Sequence, residues 1–178
     1  YRSLINTGSL DRNGGYNCKN VIIRGGSIIG GGQKLRKSII DTEREVLQEE
    51  LRAKGAGDEE IYSYNVTQRF PGFARGRLFH LANTKGVIIA DVTCGFSPSW
   101  NVHMIYSDDI VTCGCKIRSK GISNGDGWDP DSSTNCILFD TEFDTGDDCV
   151  AIKSGINPEG NLINKPTEHV KVFDCKTI

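Results

Sequence analysis

Five times along the chain, a polar or glycine turn residue is followed by a short run of alternating apolar side chains. The runs are Asn20-Val21-Ile22-Ile23 through Ile28, Gly86-Val87-Ile88-Ile89 through Cys94, Asp109-Ile110-Val111-Thr112 through Ile117, Asn135-Cys136-Ile137-Leu138 through Phe143, and His169-Val170-Lys171-Val172 through Thr177. Alternation bounded by Gly, Asn and Asp predicts short strands. Positions 21, 87, 110, 136 and 170 are separated by 66, 23, 26 and 34 residues. Intervals of 23 and 26 match single coils of a parallel β-helix, whose repeats run roughly 20 residues or more. The interval of 34 is one coil plus a loop at Ser154 to Pro166, and the interval of 66 holds an insertion. One such coil cannot bury its apolar face alone. Stacking buries a continuous core and leaves an outer groove suited to an extended polymer. The predicted fold is therefore all-β, a solenoid with residues 1–178 forming part of one domain.

The insertion, residues 34–70, is predicted to be a surface excursion with a short helix. Ile39 to Ala56 has candidate caps at Asp41 or Thr42, a terminating Gly55, and a narrow apolar stripe of Val46, Leu47 and Leu51. The segment could block one end of the groove and favour exo attack. Many glycines (21) and a single Met suit a turn-rich β protein. A formal net charge of -2 argues against a general nucleic-acid binder. No run approaches 18 consecutive apolar residues, so no membrane span is predicted. The chain opens at Tyr1 without an initiator Met and reads as an internal piece of a longer protein. Seven cysteines dispersed over this length do not form a small-domain disulfide framework. Most read as small buried side chains, with Cys149 to Cys175 a candidate pair.

Chemistry concentrates in two Gly-flanked acidic clusters. Asp126 lies in Asn124-Gly125-Asp126-Gly127, and Asp147 and Asp148 follow in Thr145-Gly146-Asp147-Asp148-Cys149. A separation of one coil stacks the clusters as neighbours at the ~4.8 Å strand spacing. Crowded carboxylates raise one another's pKa, so one can hold a proton as an acid while another acts as a base. That equips a chain for glycosidic-bond hydrolysis. Calcium binding is the rival reading of an acidic cluster, although the spacing is not that of an EF-hand.

These motifs resemble the polygalacturonase family of pectin-degrading glycoside hydrolases. The resemblance continues through Asp129-Pro130-Asp131-Ser132-Ser133 and Ala151-Ile152-Lys153-Ser154-Gly155, and Ser97-Pro98-Ser99-Trp100 with His103 is similar to a motif of the bacterial members. It is strong over residues 71–178 and looser over 1–33. It implies a right-handed parallel β-helix, with Asp147 as general acid, Asp126 and Asp148 activating water, and inversion at the anomeric carbon. It also implies a pectin or oligogalacturonide substrate with α-1,4-linked galacturonic acid, no cofactor or metal, and a secreted or periplasmic enzyme. Asn124, Lys153 and His103 are the candidate substrate-binding residues. Each has a second reading: Asn124 as a turn cap, Lys153 as a neutraliser of the acidic cluster, His103 as a packing residue. Trp100 and Trp128 could stack on sugars, and Asp129 and Asp131 could shape a turn around Pro130.

Three departures stand out. Gly125 replaces the usual Thr, which removes a side chain beside the groove. Downstream of the paired Asp there is neither a Gly-His-Gly segment nor an Arg-x-Lys motif. His169, in a strand-like repeat, reads as structural or exposed. A calcium-dependent pectate lyase and a non-catalytic polysaccharide-binding β-helix are the competing functions.

Overall fold

The structure is a computed structural model that describes residues 3–34, 45–46, 48–58, 61 and 75–178. The first coil carries β1 (Ile5–Thr7), β2 (Cys18–Arg24) and β3 (Ser27–Ile29). The second carries β4 (Phe79–Ala82), β5 (Thr84–Ala90) and β6 (Thr93–Gly95). The third has β7 (Val102–Ile105), β8 (Asp108–Cys113) and β9 (Lys116–Arg118). The fourth has β10 (Trp128–Asp131), β11 (Thr134–Phe139) and β12 (Glu142–Asp144). The fifth opens with single bridges at Val150 and Lys153, then β13 (Lys171–Phe173) and β14 (Lys176–Thr177).

Every strand pairing is parallel, and the strands sort into three sheets: β1-β4-β7-β10, β13-β11-β8-β5-β2 and β14-β12-β9-β6-β3. We call them sheets A, B and C. This is a parallel β-helix. Each apolar run of the sequence divides between sheets B and C. Sheet A, the third strand of each coil, does not show in that repeat.

The turn residue that recurs in the sequence has one backbone job. Asn20, Gly86, Asp109, Asn135 and His169 stack in sheet B with φ of 57°, 73°, 59°, 52° and 55°. Asn, Asp and Gly tolerate this left-handed conformation better than other residues. The kink re-aims the chain so that the following residue points inward. Val87, Ile110 and Cys136 all enter the core there, and Ile89, Thr112 and Leu138 follow two positions on. The core continues through Phe79, Leu81, Val102, Met104 and Trp128 of sheet A and Cys94, Ile117 and Phe143 of sheet C. Full burial of each large apolar side chain contributes roughly 1.5–3 kcal/mol.

Residues 45, 46 and 48–53 of the insertion are helical. Their helix ends at Gly55 (φ 86°), where the amide of Ala56 reaches back to the Leu51 carbonyl at 3.0 Å. Asp41 and Thr42, the candidate caps, lie outside the described residues. No helix among the described residues is long and apolar enough to cross a membrane. All seven cysteines are free thiols, so Cys149 and Cys175 are not paired. Cys94, Cys115 and Cys136 lie in the core, while Cys149 and Cys175 pack against it as separate apolar side chains.

Candidate active site

The two acidic clusters sit where sheet C hands the chain to sheet A. The amides of Gly127 and Trp128 donate to the carbonyls of Asp148 and Cys149, at 2.8 and 3.0 Å. This register sets Asp126 in the coil directly beside Asp148. A Cβ on Gly127 would meet the Cys149 carbonyl oxygen at 2.5 Å, so the close approach of the coils requires glycine. Asn101 fixes the Asp126 backbone, donating to its carbonyl from the amide (2.9 Å) and from Nδ2 (2.8 Å).

Asp126 is 5% exposed, whereas Asp147 and Asp148 face solvent. Thr145 Oγ1 donates to the Asp147 carbonyl at 2.8 Å, and the Asp148 amide donates to Asp147 Oδ1 at 3.1 Å, which pins the tight acidic turn. Burial pushes the Asp126 carboxyl above its ordinary value. The Lys153 ammonium, 3.5 Å from Oδ2, opposes the rise, and the nearby Asp147 charge adds to it.

Strand β10 builds the rest of the site. Its alternation sends Trp128 inward and Asp129 and Asp131 outward. Trp128 is fully buried and donates from Nε1 to Thr112 Oγ1 at 3.1 Å, so it is a core residue and not a sugar platform. Asp129 and Asp131 do more than shape a turn around Pro130, because they lie in register with His103 and Lys153. Asp129 stacks beside His103, and Asp131 beside Ile105 and Lys153.

Asp129 is 0% exposed, with Oδ1 against Lys153 Nζ and Oδ2 buried without a partner. Burial raises it to about 7 despite the opposing pull of Lys153. Lys153 thus bridges two buried carboxylates, Asp126 and Asp129. Of its two readings, the geometry displays the neutraliser.

Trp100 lines the adjoining cleft under two cations. Lys153 Nζ lies 4.1 Å from its ring centroid and Arg77 Cζ 4.5 Å. His103 is buried edge-on to the same ring, at 5.0 Å between centroids. Its Nδ1 shares a hydrogen bond of 3.0 Å with His80 Nδ1, and its Nε2 lies 3.7 Å from Asp131 Oδ2. Burial, reinforced by the Arg77 charge, lowers His80 to about 4. Burial likewise holds His103 well below the imidazole range, against the pull of Asp131. Burial would raise Asp131, but contact with His103 and the Gly155 amide, donating at 2.7 Å, outweigh it and hold its carboxyl low. The cleft is about 380 Å³ and also borders Ile105, Tyr106 and Ile156. Among the described residues, no three His, Cys, Asp or Glu side chains converge as a metal-binding group.

Asn124 adopts φ 54° and accepts from Arg75 Nη2. Arg75 Nη1 also donates to the carbonyls of Pro98 (3.1 Å) and Ser123 (2.7 Å), which ties two successive corner loops together. Gly125 does not open space beside the groove. A Cβ there would meet the Ile122 carbonyl oxygen at 2.7 Å and Ser119 Cβ at 3.1 Å, so the turn packs where a threonine side chain would go. His169 is exposed in the left-handed column of sheet B, away from these groups.

Sequence reasoning missed Arg75, Arg77 and the site roles of Asp129 and Asp131. The usable signal for the two carboxylates was alternation itself. Trp-Asp-Pro-Asp puts bulky apolar groups at one parity and carboxylates at the other, as a strand does.

The family model described as Glycosyl hydrolases family 28 matches residues 7–167, a span that includes the insertion. The chain belongs to this family. A probable polygalacturonase of Vitis vinifera is 39% identical over 110 residues, which cover 59% of this chain and 22% of that protein. An exopolygalacturonase of Cochliobolus carbonum is 35% identical over 81 residues, 43% of this chain and 18% of that one. The chain therefore spans about a fifth of the length of these curated relatives. The crystal structure of a hyperthermoactive exopolygalacturonase from Thermotoga maritima superposes with a TM-score of 0.68 at 26% identity, covering 92% of this chain and 39% of that one. The family 28 exopolygalacturonase of Yersinia enterocolitica gives 0.68 at 20% identity, over 99% and 33%, and shows the shared fold alone.

Proposed function

We propose that the protein hydrolyses α-1,4-galacturonosyl bonds of pectin-type polysaccharide with inversion. The observation that carries this reading is the stacking of Asp126 beside Asp148, with Asp147 adjacent, at the edge of a cleft bearing Lys153, Arg77 and Trp100. Asp147 gives its proton to the glycosidic oxygen as the bond from that oxygen to the anomeric carbon breaks. Asp126 and Asp148 take a proton from the water that attacks the same carbon from the opposite face. Lys153 opposes the burial that raises Asp126, and so favours the ionised form that a base requires. Arg77, with its Nε buried and unbonded, offers a cation beside the aromatic floor that suits a uronate. The names of the relatives support the same substrate class, and pectin places the enzyme's work outside the cytoplasm. Within that scheme residues 34–70 are an excursion from one catalytic domain.

Asp147→Asn tests the acid role. Release of reducing ends from polygalacturonate is expected to fall by about 10²–10⁴-fold, with unfolding unchanged because Asp147 is exposed. A folded, fully active variant removes Asp147 from that role. Products that absorb in the ultraviolet as unsaturated uronates would identify a lyase instead.

A further inference from the structure

The cleft over sheet A changes character along its length. Where the chain enters the sheet, the Trp100 ring lies under Arg77 and Lys153, beside the buried Asp126 and Asp129. Where the chain leaves for sheet B, the lining is Leu10, Ile105, Tyr106, Ile156 and Ile163. Leu10 comes from the corner loop at residues 8–17 of the first coil. Ile156 and Ile163 come from the corner loop at residues 154–167 of the fifth. Strand alternation aims Ile105 outward, in register with Asp131. Leu10 and Ile156 are half-exposed, so this lining faces solvent and not the core. Apolar side chains gathered in a cleft with a few polar groups are the ordinary lining of a ligand site.

The charges at the apolar end do not suit a carboxylate. Arg12 is paired with Glu159. Lys165 Nζ donates to the Arg12 carbonyl at 2.7 Å and does not border the cleft. Lys153 is in register with Asp131, yet its Nζ reaches back to Asp129 and to Asp126. Asp131 accepts from the Gly155 amide (2.7 Å) and from Ser132 Oγ (3.3 Å). Its basic neighbour His103 is held neutral by burial. Among the described residues, no lysine or arginine reaches ion-pair distance of Asp131. A uronate seated here would bring a second negative charge beside that carboxylate and strip water from both.

A methyl ester removes the charge of a galacturonic acid and adds a methyl group to it. Both changes fit this end of the cleft: repulsion by Asp131 disappears, and the methyl group gains burial against Ile105 and Ile156. Two strand positions, about 7 Å, separate Asp129 from Asp131, so the two linings face neighbouring residues of one polymer.

We propose that the apolar end of the cleft is a subsite for a methyl-esterified galacturonosyl residue, next to the cationic end that takes a free uronate. This deepens the hydrolase reading above and rests on it. Leu10, Ile105 and Ile156 are the specificity-determining side chains, and the substrate class is partly esterified pectin.

The test compares kcat/KM of the full chain on two oligogalacturonides of equal length, one free and one partly methyl-esterified. The esterified oligomer is expected to be the better substrate by about fourfold, the weight of one buried methyl group. Ile156→Lys puts a cation at a half-exposed loop position of the apolar end, and is expected to lower that ratio about fourfold or more. Leu162→Lys adds the same charge to the same loop at a side chain 81% exposed and outside the cleft, and is expected to leave the ratio where it was. A parent without preference, or with preference for the free oligomer, overturns the proposal. So does an Ile156→Lys variant that keeps the parent ratio, or a Leu162→Lys variant that lowers it equally. A third oligomer, alternating galacturonic acid with a neutral 6-deoxy sugar, carries a methyl group without an ester. Faster cleavage of that oligomer than of the esterified one overturns the assignment to a methyl ester. A protein that binds these oligomers but releases no reducing ends overturns the hydrolase reading instead, and the same ratio measured as Kd still decides the subsite.

Discussion

The outward faces of sheets A and B reverse the usual rule. On sheet B the outward column includes Ile22, 68% exposed, and Ile88, 42% exposed. On sheet A the outward column holds His103 at 4% exposure and Asp129 at 0%. Hydrocarbon faces water on one side of the solenoid while charge is buried on the other. Isolated apolar residues on a surface cost little, whereas an unpaired buried charge costs several kcal/mol. Sheet A therefore needs Lys153, Arg77 and the His80–His103 pair to compensate its carboxylates. The solenoid interior, common to both sheets, supplies the stability that this polar face draws on.

Lys153→Met should give the largest departure between the two faces. It leaves Asp126 and Asp129 buried without their cation, and a loss of about 3–5 kcal/mol is expected in denaturant unfolding. A loss under about 1 kcal/mol would mean that both carboxylates simply take up protons.

Ile110→Ala probes the inward column of sheet B. Ile110 is 0% exposed, and a cost of about 2–5 kcal/mol is expected from lost burial and a cavity. Unlike Lys153→Met, it should leave the pH profile of activity where it was. A shifted profile would tie the core to the site more closely than the comparison allows.

A third effect is expected in the pH dependence of Asp129→Asn. The folded value of Asp129, about 7, lies above the ~3.9 of an unfolded Asp. Protonation thus favours the folded state. The stability it contributes is fully present below pH ~4 and is lost as pH rises through about 7. The stability of the parent relative to Asp129→Asn should decline over that window. His80 and His103 act in the opposite sense, since burial lowers them, so the difference between the two proteins is the informative quantity. A difference that is flat with pH, or rises, would contradict a raised Asp129.

Sheets B and C were legible because their inward positions are apolar and their kinks need Asn, Asp or Gly. Both signals are local. Sheet A was not, because outward histidines and carboxylates break the apolar pattern, and Pro130 reads as a turn although it lies in β10. The acidic clusters were legible as short Gly-flanked motifs. Their partners were not: Lys153 meets Asp129 only through the register of neighbouring coils, 24 residues apart in sequence. The Arg12–Glu159 contact joins residues from the first and fifth coils, and nothing in either segment announces the other.

Solenoids ordinarily grow and shrink by whole repeats, since each coil contacts only its neighbours. The contact of Arg12 with Glu159, between corner loops of the first and fifth coils, is sensitive to that number here. Duplicating the coil at residues 79–95 would leave every β-ladder satisfied but carry Glu159 one rung, ~4.8 Å, farther from Arg12. Deleting it would crowd the same two side chains together. The span between the two loops thus works as a gauge of the number of rungs beneath it, because only one count lets Arg12 and Glu159 meet as they do here.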